Sequence, residues 1–279
     1  MKKIKIFIKH IMYKIKFFLE FFQFIGPSNI QIINEFKNRT NQHPNPFCRF
    51  GAFGFSQTDE DGITIEILRR LDLGPGTFCE FGVGNGSENN TLVLLAMGWR
   101  GSWIGGQDLC FDHVTSKRLK FVKKWITKDN ILSLYKDNVG FDKNIDVLSL
   151  DLDGNDYHFI KILLENNVKP KLIIVEYNGL FLPNIDFVMD YDSDHVWNND
   201  DYFGASLYSW NKLMSIFGYS LICCNAATGA NAFFIQSEYR DAFPEVPNEI
   251  AKIYASPFHV LPKYNFNRHS LRTLEKITY

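Results

Sequence analysis

Apolar and polar positions divide the chain into short strand-like runs separated by amphipathic stretches. "TFCEFGV" (77–83), "GSWIGG" (101–106), "IDVLSLDLD" (145–153) and "KLIIVEYN" (171–178) have strand length and are bounded by turn-forming residues. Helices are expected between them at Glu88–Met97, Thr115–Trp125 and Tyr157–Asn166. The run "GITIEILRRLDL" predicts an earlier helix that ends near Gly74-Pro75-Gly76. Two late runs, "GYSLICCNA" and "NAFFIQ", flank the turn "TGAN" and predict a hairpin rather than a crossover. The expected fold class is α/β, a doubly wound and mostly parallel Rossmann-like sheet with a terminal antiparallel hairpin. Residues 1–45 read as an N-terminal amphipathic helix and lead-in, 46–245 as the α/β domain, and 246–279 as a C-terminal extension.

With 279 residues, 46% of them hydrophobic and 22% charged, the chain can bury one substantial core. Its formal net charge of -1 argues against nucleic-acid binding driven by bulk charge. The five cysteines are Cys48, Cys79, Cys110, Cys223 and Cys224, without paired metal-ligand spacing. They read as reduced thiols of a cytoplasmic protein. The opening "MKKIKIFIKHIMYKIKFFLEFFQFIG" is apolar and basic, but its lysines leave no run of ~20 apolar residues. Residues 1–25 therefore predict a helix packed on its own domain or on a second copy in a homo-oligomer. Peripheral contact with the inner membrane surface is the alternative.

The chemistry is expected at two places. In "CEFGVGNGS", Glu80 ends an apolar run, and Gly82, Gly84 and Gly86 follow at alternate positions. Such glycines allow positive φ and bring the backbone against a ligand at a strand's carboxyl end. A dinucleotide fingerprint would need glycine where Ser87 stands, and a pyrophosphate gains nothing from a neighbouring Glu80. A cationic ligand does. The second place is the carboxylate cluster. "DVLSLDLDGNDYH" sets Asp151, Asp153 and Asp156 past one strand, and "IIVEYN" sets Glu176 and Asn178 past the next. Adjacent strand ends meet at the ligand crevice of an α/β sheet. Acids gathered there repel unless a cation, a proton or a basic substrate offsets them. Asp153, Asp156, Glu176 and Asn178 offer oxygen ligands suited to Mg²⁺ or another divalent metal. The alternative is that Asp156 caps the following helix. His158 and His195, beside Asp153, are the candidates for a base that takes a proton from a hydroxyl.

"EFGVGNG" resembles the first motif of class I S-adenosylmethionine-dependent methyltransferases, an acidic residue followed by G-x-G-x-G. "FSQTDEDGI", "GSENNT", "GWRGSWIGG", "LSLDLDGNDYH", "IIVEYN", "YFGASL" and "GANAFF" are similar to the FkbM-like branch, over residues 55 to 235. The resemblance implies that Glu80, Gly82, Gly84 and Gly86 hold the cofactor's methionine and ribose portion, with Asp151 and Gln57 beside it. It also implies a ribose-binding acid after the second strand, where this chain has Gly105 and Gly106. Gln107 or Asp108 is expected to replace it. The acid set resembles that of metal-dependent O-methyltransferases. The expected function is methyl transfer from S-adenosylmethionine to an oxygen of a sugar, nucleotide sugar or surface-glycan precursor. A metal-dependent enzyme acting on a phosphate ester and a catalytically inactive scaffold are the alternatives.

Overall fold

The computed structural model describes residues 27–113, 116–139, 144–197, 200–258 and 270–277. The basic segment 1–25 lies outside the described residues, as does the helix expected there.

The sheet has seven strands in the order β3-β2-β1-β4-β5-β7-β6. They are β1 (Thr77–Phe81), β2 (Arg100–Gly105), β3 (Leu119–Lys123), β4 (Val147–Leu150), β5 (Leu172–Glu176), β6 (Tyr219–Cys224) and β7 (Asn231–Gln236). The first five pair in parallel; β7 runs antiparallel to both β5 and β6. The expected doubly wound sheet with its antiparallel hairpin is the fold observed. Every residue of β4 is buried, as strands covered on both faces must be.

Helices α1 (Pro27–Gln42), α2 (Glu60–Arg70), α3 (Leu92–Ala96), α4 (Ile131–Val139), α5 (Asp156–Glu165), α6 (Leu207–Ile216), α7 (Ile250–Ile253) and α8 (Leu271–Lys276) surround it. The expected helix over Thr115–Trp125 is corrected. Leu119–Lys123 is instead an edge strand, paired with β2 from Gly101↔Leu119 to Gly105↔Lys123. Lys120 and Lys123 are exposed on that edge, where charge discourages pairing with another chain. The helix expected from Glu88 starts only at Leu92, because the residues before it are held by Glu80.

Candidate functional site

Strand order reverses between β1 and β4: β2 and β3 lie on one side, β5, β7 and β6 on the other. Such a switch point opens a crevice at the strands' carboxyl ends. The glycine loop and Asp151 face each other across it. Gly82 has φ 88°, and a Cβ there would lie 1.6 Å from the Asp151 carbonyl oxygen. Only glycine lets β1 and β4 approach so closely. Gly84, with φ 50°, has open space where a Cβ would stand, so its backbone is free to meet a ligand. Gly86 serves packing instead: its Cβ would press on Leu109, Phe111 and Trp103.

Glu80 has a different role from the one expected. Its carboxylate is 2% exposed and accepts the backbone N–H groups of Asn90 at 3.0 Å and Thr91 at 3.2 Å. The Thr91 hydroxyl also donates to it, while Trp103 Nε1 donates to that hydroxyl at 2.8 Å. Glu80 therefore fastens the glycine loop to the turn before α3, and both carboxylate oxygens are occupied by the protein. Burial pushes its pKa up, against these hydrogen bonds.

Beyond β2, Gly105 is buried under Val83, and Gly106 lies against the ring of Trp125. Gln107 is exposed, and Asp108 is ion-paired with Lys123 at 2.7 Å. Gln57 stands elsewhere, at the rim of a cavity beside the crevice.

That cavity, of about 540 Å³, lies over the ends of β4 and β5 and the β6–β7 turn. Asp153 and Glu176 supply its charge, Thr58 and Thr228 its hydroxyls, and Tyr177, Trp197 and Phe203 part of its aromatic wall. Asp151, Asp153 and Glu176 bring carboxylate oxygens within 4.8 Å of one another. Two like charges ~4 Å apart repel by roughly 4 kcal/mol at an effective dielectric constant of ~20. Burial first, and then mutual repulsion, drives the carboxyls of Asp151 and Glu176 well above the ordinary range. Burial also raises Asp153, which His195 partly offsets. Glu176 Oε2 is buried and has no hydrogen-bond partner.

Two expected metal ligands are corrected. The Asp156 carboxylate accepts the N–H groups of Leu152 at 2.8 Å and Gly154 at 2.9 Å, bracing the turn into α5. Nor does it cap α5 as the alternative expected: Asn155 holds the cap position, and no side-chain cap hydrogen bond forms there. Asn178 is fully buried, and its amide donates to the carbonyls of Asp201 and Phe203, both at 3.0 Å. Its side-chain oxygen accepts Leu180 N–H at 3.2 Å, so it organises the loop after β5.

The histidines also separate. His158 Nε2 donates to the Met189 carbonyl at 2.8 Å, and the ring stacks edge-on to Tyr191. It is not among the cavity's lining residues, and burial lowers its pKa. His195 Nε2 donates to the Asp153 carbonyl at 3.1 Å, holding a residue whose φ of 53° is unusual outside glycine. It therefore sits beside the acids.

A buried polar network supports the cavity floor. Glu60, wholly buried at the start of α2, accepts Thr58 N–H at 2.8 Å, Asn225 Nδ2 at 3.0 Å and Asn231 Nδ2 at 3.2 Å. Asn225 Oδ1 accepts two N–H groups of the hairpin turn, from Ala230 at 2.9 Å and Asn231 at 2.8 Å. The acid run at a helix start and the turn "TGAN" are both visible in sequence; their joining is not. Pro257 and Phe258, in the segment after α7, complete the cavity with Ile32 and Phe36 of α1.

No protein-family model and no curated protein matches this sequence. Among solved structures, a Lactococcus lactis protein assigned as a hemolysin aligns at TM-score 0.42 and 13% identity, covering 68% of this chain and 92% of its own. A Staphylococcus aureus protein assigned as a caffeoyl-CoA O-methyltransferase also reaches TM-score 0.42, at 12% identity, covering 79% and 98%. The cofactor-bound Rv0187 from MTB aligns at TM-score 0.40 and 12% identity, covering 80% and 96%.

Proposed function

We propose that this chain is an S-adenosylmethionine-dependent methyltransferase that methylates a hydroxyl of an acceptor held in the cavity. One observation carries this reading: an open glycine loop at the switch point adjoins a half-open cavity, with Asp151 and Asp153 at their junction. S-adenosylmethionine would supply an activated methyl group on a sulfonium centre. Gly84 offers free backbone to that ligand, and the sulfonium's positive charge would favour the ionised form of Asp151 beside it. Gln107 and Asp108 would reach the ribose, Asp108 by releasing Lys123. Glu80 acts one step back, through the loop it fastens.

On the acceptor side, Asp153 would orient the acceptor through its charge. His195, whose Nε2–H is committed to the Asp153 carbonyl, would take the hydroxyl proton at Nδ1. In-line displacement needs little acid-base work, so positioning by the cavity supplies most of the rate. The aromatic wall suits a sugar face. Titration of the full chain with S-adenosylhomocysteine tests the reading. Gly84→Val should weaken binding at least about tenfold while the protein stays folded. Equal affinity in the folded variant, or no binding by the parent chain, overturns it.

A divalent metal is the second reading of the same acids, favoured by their convergence within 4.8 Å. Its ligands would be Asp151, Asp153 and Glu176, with Asp156 and Asn178 committed elsewhere. A bound metal would lower the pKa of a substrate hydroxyl. Loss of activity in chelator, restored by Mg²⁺ or Mn²⁺, is the expected sign of it.

A further inference from the structure

The cavity's lining also speaks to the class of acceptor. Among its described lining residues there is no lysine, arginine or histidine, whereas Asp153 and Glu176 both face it. A phosphate or diphosphate placed there would meet two carboxylates and no cation. Glu176 Oε2 is buried without a hydrogen-bond partner, so a donor is wanted at that atom. Trp197 and Phe203 meet edge to face with centroids 6.0 Å apart, and Tyr177 lies against the floor. Acids among aromatic faces suit an organic cation, because an ammonium gains from both carboxylate charge and ring quadrupole. A metal finds a poorer shell. The oxygens of Asp156 and Asn178, which would extend three carboxylates toward six ligands, are engaged by backbone groups.

We propose that the acceptor is a hydroxylated small molecule carrying a protonated primary amine, such as an amino sugar or an amino alcohol. The amine is held between Asp153 and Glu176. Resting on the methyltransferase reading above, this deepens it by naming a substrate class. Flanking carboxylates keep the amine protonated. An ammonium has no free lone pair, so it anchors the molecule, and a neutral hydroxyl elsewhere on it receives the methyl group.

The test uses the full chain, stripped with chelator and saturated with S-adenosylhomocysteine, titrated with matched pairs of probes. Glucosamine is compared with N-acetylglucosamine, and tyramine with N-acetyltyramine. At least one amine should bind about tenfold more tightly than its neutral partner. Glu176→Gln and Asp153→Asn should each remove most of that preference, with thermal unfolding confirming that both variants fold. If no amine outbinds its acetylated partner, the proposal fails. It also fails if Mg²⁺ is required for binding, which favours the metal reading. S-adenosylhomocysteine titrated alone keeps the two readings apart. Cofactor binding without amine preference removes only the acceptor class; amine preference without cofactor binding removes the methyltransferase.

Discussion

Glu80 and the glycines after it have different physical roles, and substitutions should separate them. Glu80→Ala would leave the N–H groups of Asn90 and Thr91 and the Thr91 hydroxyl without a buried acceptor. Unpaired buried donors cost ~1–3 kcal/mol each, and part of the loss is relieved by water, so a drop of about 2–4 kcal/mol in urea-unfolding stability is expected. Its effect on S-adenosylhomocysteine affinity should be smaller, and indirect. A variant that kept full stability and lost only ligand binding would restore Glu80 to the binding surface. Gly82→Ala drives a methyl group into the Asp151 carbonyl and should cost about 3 kcal/mol or more, read from the same urea curves. The sequence pattern marks these residues as one motif. Their division into fastener, close approach and open edge depends on what stands opposite each, which a linear pattern does not contain.

At the level of elements, the ends of β4 and β5 concentrate acids whose pKa values are raised. Asp156 is pushed from an ordinary 3.8 to about 7, chiefly by burial, and Asp151 and Glu176 move in the same direction. A raised value means that the folded state holds the proton more tightly than the unfolded chain. The resulting stability is complete below about pH 4 and is lost as pH rises through about 7. The ligand-free protein should therefore show a falling Tm between about pH 5 and about pH 8, and Glu176→Gln should flatten the fall and raise Tm at the upper end. A Tm that climbs over this range would mean that a cation already satisfies the cluster. Strands β1, β2, β4 and β5 are legible because buried parallel strands read as apolar runs. β3 is not: its lysines and short apolar stretch fit an amphipathic helix until pairing with β2 selects the extended form.

Across the whole molecule, the loop after β5 depends on a distant segment. The Asp201 carboxylate accepts Ser270 N–H at 2.9 Å and the Thr273 hydroxyl at 2.8 Å, while the Asp201 carbonyl accepts Asn178 Nδ2 at 3.0 Å. Ile277 packs on the small core of Phe181, Phe187, Met189 and Tyr202. Thr273→Val should loosen this unit locally. Amide exchange over residues 178–206 should quicken about tenfold, with β1 and β4 unchanged, since one lost buried hydrogen bond is worth ~1–2 kcal/mol. Uniform acceleration everywhere would show that the segment is not a separate unit. The sequence alone determined the α/β class, the central strands, the hairpin and the placing of acids at strand ends, because these follow from periodicity and turn chemistry within a few residues. Tertiary structure alone decided which oxygen-bearing side chains converge. Asp156, Asn178 and Glu80 are engaged by neighbouring protein groups, while Asp151, Asp153 and Glu176 converge, and the cavity is walled by residues from both α1 and the segment after α7. Hydrogen-bond partners and cavity walls are chosen by three-dimensional neighbourhood, and residues 32 and 258 become neighbours only when the sheet has folded between them.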